Sequence, residues 1–251
     1  MSKPGLQLSQ PPIVEAVLDL DCDMPAGQEI PDLEVPAREG FRDRYPKFRT
    51  QFFQGYQIEQ AADAEPQFSA HQRIQALQFL QEDEKQLLQV RAQGFSFNRL
   101  APYTSLDDYL PEIERAWRLL VRLASPVQVG AIRLRYINRI PLPLVDDRVE
   151  LDDYLKLAPR LPDEDRLSLL GFLNQHTAIE HDTGNRVNII LTTQPRENDV
   201  VPIIFDIEAF REEAVAPDDW DSLLARIRSL RGLKNRVFVN ALTQKCLDLF
   251  R

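Results

Sequence analysis

The sequence predicts an α+β fold: a mainly antiparallel sheet in two strand-rich halves, each followed by helix, with the helices packed on one face. Three observations carry this expectation. Runs of alternating apolar and polar residues recur along the chain, and that period belongs to half-buried strands. Several consecutive runs are joined by segments too short for a crossover helix, which makes neighbouring strands antiparallel. Long stripes of apolar residues at helical spacing close each half. The reading is one α+β unit over 1–251, with two similar sub-domains, 13–125 and 127–251, as the alternative division.

Ile13 to Cys22 places Val14, Ala16, Leu18, Leu20 and Cys22 on one face and Glu15, Asp19 and Asp21 on the other, a half-buried strand. Residues 24–40 contain Pro25, Pro31 and Pro36 and two glycines, and are expected to form a loop. Phe41 to Tyr56 is expected to hold one or two short helices. Residues 60–66 form a further break. Ser69–Leu80 and Gln86–Leu100 make a hairpin around a polar turn, with Gly94 as the site of a bulge. Ser105 caps a helix striped by Leu110, Ile113, Trp117 and Leu120, and Pro111 delays its regular start to about Asp108.

Val129–Leu142 is the next strand. Leu151–Leu155 repeats Leu106–Leu110 letter for letter as LDDYL, and both copies read as helix starts. Leu167–His181 and Arg186–Thr193 form a second hairpin through Asp182, Thr183, Gly184 and Asn185. Val200–Ile207 is a strand in which Pro202 favours an edge or a strand start. A helix opening at Pro217 is expected to stop at Gly232, and a last helix to run from Leu233 to Phe250.

The composition is that of a globular protein, 43% hydrophobic and 27% charged, which argues against disorder. With 39 acidic and 30 basic residues the net charge is −9. That balance disfavours nucleic acid and anionic membranes as partners and leaves room for a local basic patch. Cys22 and Cys246 lie near opposite ends, so two reduced thiols are expected rather than a disulfide framework or a cysteine-based zinc site. No apolar run reaches membrane-spanning length and no secretory h-region precedes Pro11 and Pro12, so the expected location is the cytoplasm.

No catalytic constellation is present in the sequence. The nine glycines never fall two residues apart, which removes both the G-x-G-x-x-G and Walker phosphate cradles. Neither a G-x-S-x-G elbow nor an H-E-x-x-H helix occurs. His176 and His181 have opposite parity on one hairpin arm, and His71 stands alone, so none is expected to act as a base or metal ligand. Asp19, Asp21 and Asp23 share a strand face where a hard cation could be held. Side chains two apart on a strand splay, however, and a solvated face is the better reading. Asp206 and Glu208 are read likewise. No cofactor, no metal and no catalytic residue is expected.

Arg133, Arg135 and Arg139 fall on one face of their strand, opposite Ile132, Leu134, Tyr136, Asn138 and Ile140. Such a row can grip phosphates or carboxylates, or can pair with the chain's surplus acids. Arg99, at the end of an earlier strand, is the fourth candidate of this ligand-binding group. Asn138, on the core face, is expected to be hydrogen-bonded and structural. A second basic group, Arg226, Arg228, Arg231, Lys234 and Arg236, is read as a solvated helix end.

GFSFNRL from Gly94, the Trp117 helix and RLRYINRI ending at Ile140, together with PPIVEAVLDL, LDDYL and FVNALTQ, resemble a sporadically distributed bacterial protein family. The resemblance spans nearly the full length. It implies a bacterial, cytoplasmic, single-chain protein and carries no activity, cofactor or catalytic residue. Two functions stand side by side. One is a non-enzymatic interaction protein that binds a protein partner or a second copy of itself, as a homodimer, through its sheet. The other is phosphate- or nucleic-acid-related binding or catalysis on the arginine face.

Overall fold

The computed structural model describes residues 8–59, 67–163 and 166–251, and the side chains of all these except 55–59 and 67–71. The expected break at 60–66 and the His71 side chain lie outside the described residues. The elements run β1 (Ile13–Asp23), α1 (Ile30–Phe41), β2 (Lys47–Glu59), β3 (Gln67–Leu80), β4 (Gln86–Arg91), β5 (Gly94–Leu100) and α2 (Leu106–Ala124), then β6 (Gln128–Pro143), α3 (Leu151–Tyr154), β7 (Leu173–Ile179), β8 (Arg186–Thr193), β9 (Val200–Val215), α4 (Trp220–Ala241) and α5 (Gln244–Asp248). Among the described residues all nine strands join one antiparallel sheet in the order β2-β3-β4-β5-β1-β6-β9-β8-β7. The fold is α+β.

β1 and β6 pair at the centre. In each half the first strand pairs with the last, β1 with β5 and β6 with β9, and the others fan outward. The register makes the sheet two-faced. One row runs from Phe48 through Phe79, Leu88, Phe97, Leu18, Leu134 and Ala209 to Val187. The row one residue along runs from Arg49 through Gln78, Gln89, Ser96, Asp19, Arg133 and Phe210 to Arg186. A period-2 side chain converts that single step into a change of face.

The helices cover the apolar face. Trp117 on α2 packs against Phe95 with the two rings tilted, and its indole N–H donates to the Pro217 carbonyl at 2.8 Å. Phe238 on α4 stacks on Phe205 of β9, and Phe41 on α1 meets Phe79 of β3. Buried residues of both halves belong to one core cluster.

Several boundaries differ from expectation, each for a local reason. Residues 30–41 are helical despite two prolines: Pro31 lies in the first turn, where its missing N–H is harmless, and Ile30, Leu33, Ala37 and Phe41 bury one stripe. The segment expected to be helical after Phe41 is strand β2. Gly94 is no bulge but the return of a tight hairpin, with Arg91 opposite Gly94. Its φ of +132° suits glycine, and a Cβ there would meet the Leu20 carbonyl oxygen at 2.0 Å.

α2 starts at Leu106, capped by the Ser105 hydroxyl, which accepts from the Asp108 N–H at 3.3 Å, with Pro111 inside it. Both LDDYL copies do begin helices. Strand β7 starts at Leu173 rather than Leu167. Pro202 sits at the start of β9, third in the strand, as expected, although β9 is an interior strand, and it lies opposite Pro141. Gly232 does not end its helix, because buried Leu230 and Leu233 continue one stripe across it.

Candidate functional site

The four candidate arginines separate. Arg133, Arg135 and Arg139 rise from the polar face of β6, while Arg99 shares the parity of Phe97 and lies over the Tyr109 ring of α2 at 5.5 Å. Its guanidinium donates to the Pro102 carbonyl at 3.3 Å, and its Nε is buried with no acceptor among the described residues.

The other three each hold a carboxylate. Arg135 Nε donates to both oxygens of Asp206 at 2.9 and 3.0 Å. Arg133 Nε donates to Asp21 at 2.9 Å, with its guanidinium over the Phe210 ring at 5.0 Å. Arg139 pairs with Glu197. Arg91 on β4 joins Asp19 and Asp21 at 3.2 and 3.0 Å. Asp19 also accepts from the Ser96 hydroxyl. Burial raises the Asp19 pKa, against the lowering field of Arg91. Farther out, Asn98 donates to Glu15 and Asn188 to Glu208, both at 2.9 Å.

This face is therefore a lattice of alternating charge whose cations are already neutralised. A lattice of this kind sets strand register and discourages strands of the wrong charge. It offers an added anion less than free guanidiniums would. Asp19, Asp21 and Asp23 do not converge: Asp23 accepts from Gln128 instead. Among the described residues no group of three metal-type side chains stands together.

On the opposite face of β6 lies an arrangement that sequence reading missed. Lys234 of α4 is only 9% exposed, with its ammonium 3.8 Å from the Tyr136 ring centre. The Tyr136 hydroxyl is 2.8 Å from that of Tyr103. Arg231, one turn away, is held by Asp107 at 2.7 Å. Among the described residues no carboxylate pairs with Lys234, and burial, then the Arg231 charge, push its pKa down to about 7. Burial likewise raises the Tyr136 pKa to about 12.

The basic group expected at a helix end lies mid-helix, within Trp220–Ala241. Arg226 ties to Glu213, Arg231 to Asp107 and Arg236 to Glu180. Lys234 falls on the stripe of Leu223, Ile227, Leu230 and Phe238. Helical spacing carried through Gly232 is the signal that would have found it. Asn138, as expected, is buried and donates to the Phe205 and Tyr136 carbonyls at 2.9 and 3.3 Å. Cys22 and Cys246 are free and buried.

The third distinctive region is the outer edge. β7 reads LNQHTAI, contains no Asp, Glu, Lys or Arg, and all but one of its residues are exposed. Leu173 is 70% and Ile179 53% exposed, and Leu167, Leu169 and Leu170 just before the strand are exposed as well. The ladder to β8 fixes which backbone groups are spent. The Glu180 N–H donates to the Asn185 carbonyl at 2.8 Å and the Thr193 N–H to the Phe172 carbonyl at 3.2 Å. With the register of Leu173 opposite Thr192, even-numbered residues face β8 and odd-numbered ones face outward. The N–H and C=O groups of Leu173, Gln175, Thr177 and Ile179 therefore point away from the sheet. His176 and His181 are exposed and separate.

No protein-family model matches the chain, and no curated protein matches it. No helix among the described residues is long and apolar enough to cross a membrane.

Proposed function

We propose that this chain is a non-enzymatic, cytoplasmic interaction protein that engages a protein partner along the β7 edge of its sheet. The observation that carries the reading is the bare edge itself: a strand without charge, with outward backbone donors and acceptors, next to exposed leucines. Monomeric proteins guard such edges with lysine, proline, bulges or a covering element. Strand addition to an open edge draws affinity from the main chain and selectivity from side-chain contacts, and exposed leucines beside it provide the apolar part.

The competing reading, binding of phosphate or nucleic acid by Arg99, Arg133, Arg135 and Arg139, draws little support. Three of the four are neutralised by carboxylates, and the fourth lies on the other face.

The test is affinity purification of the tagged chain from its native host, beside the Leu170→Asp/Leu173→Asp double variant. A protein that co-purifies stoichiometrically with wild type and is lost from the variant is the expected result. An unchanged set of co-purifying proteins overturns the reading.

A further inference from the structure

The free groups of β7 have an internal symmetry. Two copies of an antiparallel strand related by a twofold axis perpendicular to the sheet must pair residues of like parity, since the axis preserves the face. Centred on His176, that axis sets Leu173 opposite Ile179, Asn174 opposite Ala178 and Gln175 opposite Thr177. The outward-facing residues are Leu173, Gln175, Thr177 and Ile179, as the ladder to β8 requires. In this register each finds another outward-facing residue, and no outward group within the strand is left over. Centring on Gln175 or Thr177 instead pushes an end of the strand past its partner.

We propose that β7 is a homodimer interface: two copies of this chain join β7 to β7 about a twofold axis through His176, making one continuous sheet. The proposal deepens the edge-binding reading above and rests on it. The side chains agree with the backbone. Leu173 and Ile179, the two apolar residues that β7 exposes on its polar-face side, lie at opposite ends and meet across the axis. The absence of charge on β7 lets two copies of a chain of net charge −9 approach there. Leu170, 98% exposed, lies three residues before Leu173 and adds exposed apolar surface beside the end of the paired edge. The opposite edge, β2, carries Lys47 and Arg49. Because the twofold axis uses the β7 edge of both copies, growth through this edge ends at a closed dimer.

The experiment is sedimentation equilibrium of the full chain with three variants. Wild type is expected at twice the chain mass. Thr177→Pro removes an outward N–H and no ladder bond to β8, and is expected at the mass of one chain with unchanged circular dichroism. His176→Lys, which sets like charges side by side on the axis, is expected to weaken association several-fold, and it keeps the test readable if proline weakens the fold.

His176→Cys places two thiols in a non-hydrogen-bonded pair, within disulfide reach. It is expected to cross-link on oxidation, while Gln175→Cys, which faces Thr177, is not. Cys22 and Cys246 are buried and do not compete. A wild type of one-chain mass at near-millimolar concentration overturns the dimer, as does undiminished association of both the Thr177→Pro and His176→Lys variants. Cross-linking of Gln175→Cys as readily as His176→Cys overturns the register. A single-chain wild type whose Leu170/Leu173 variant still loses a different partner overturns the dimer alone and leaves the edge-binding reading standing.

Discussion

Strand β6 carries a cation against each of its faces, and the two are treated in opposite ways. On the polar face Arg135 grips Asp206 through both carboxylate oxygens, and the acid is 7% exposed while the arginine side chain stays 44% exposed. On the helix face Lys234 is as buried as Asp206 but has only the Tyr136 ring beneath it and Arg231 nearby. A ring face attracts an ammonium by a fraction of what a carboxylate supplies in the same setting. The comparison separates two uses of charge in one sheet. The polar-face pairs fix register between strands at little desolvation cost, because water still reaches the guanidinium. The lysine has no such partner, burial favours its neutral amine, and stability is lost at neutral pH to keep it there.

The largest effect expected from breaking this contrast is a gain. Lys234→Met keeps the packing volume and removes the desolvation, and should raise stability at neutral pH by on the order of 2 kcal/mol. The sign of the pH dependence follows from the depressed pKa. Above the ordinary value of 10.5 the amine is neutral folded and unfolded, and the group costs nothing. As pH falls toward 7 the unfolded chain takes up a proton that the buried amine refuses, so stability is lost across this window and stays lost below it. Urea midpoints of wild type and variant should converge above pH 10.5 and part steadily down to pH 7. Parallel curves over that window would mean that Lys234 is charged and well solvated in the folded protein.

How much of this was legible beforehand depends on which interaction decides each point. Parity along β1 and β6 set the two faces correctly, from Leu18 and Leu134 inward to Arg133 and Arg135 outward, because a period of two needs no knowledge of partners. Pro31 and Pro36 hid α1, since a proline in a first turn looks the same in sequence as one in a loop. Gly94 looked like a bulge because its left-handed backbone serves bulges and two-residue turns alike. The acid partner of Arg135 lies on β9, seventy-one residues away, so only the sheet order could name it. Lys234 was hidden by reading Gly232 as a stop. The bareness of β7 was visible as an uncharged run, but its position at the edge follows from topology, which turn chemistry alone does not give.

A smaller loss should follow from damage to the satisfied side of the comparison. Asp206→Asn leaves Arg135 with an amide in place of a bidentate carboxylate, and should lower stability by about 1–2 kcal/mol. The exposure of Arg135 keeps the loss modest, because water replaces part of the lost contact. The check is an equilibrium urea titration read by tryptophan fluorescence, Trp117 and Trp220 being core reporters. A loss well beyond this range would show Arg135 to be as dry as Lys234 and would erase the contrast between the faces.

The smallest effect belongs at the rim of the same row. Arg139 and Glu197 pair across the β6–β9 end of the sheet, but their side chains are 35% and 57% exposed. Exposed pairs gain little Coulomb energy in water and give up side-chain entropy, so the coupling energy from a double-mutant cycle of Arg139→Gln and Glu197→Gln should fall within about 0.5 kcal/mol of zero. Raising the salt concentration should leave the cycle unchanged, since almost nothing remains to be screened. A coupling comparable to that of Arg135 with Asp206 would mean that the whole arginine row behaves as one cooperative lattice. In that case the dividing line in this sheet would run between its faces alone, with no gradient from centre to rim.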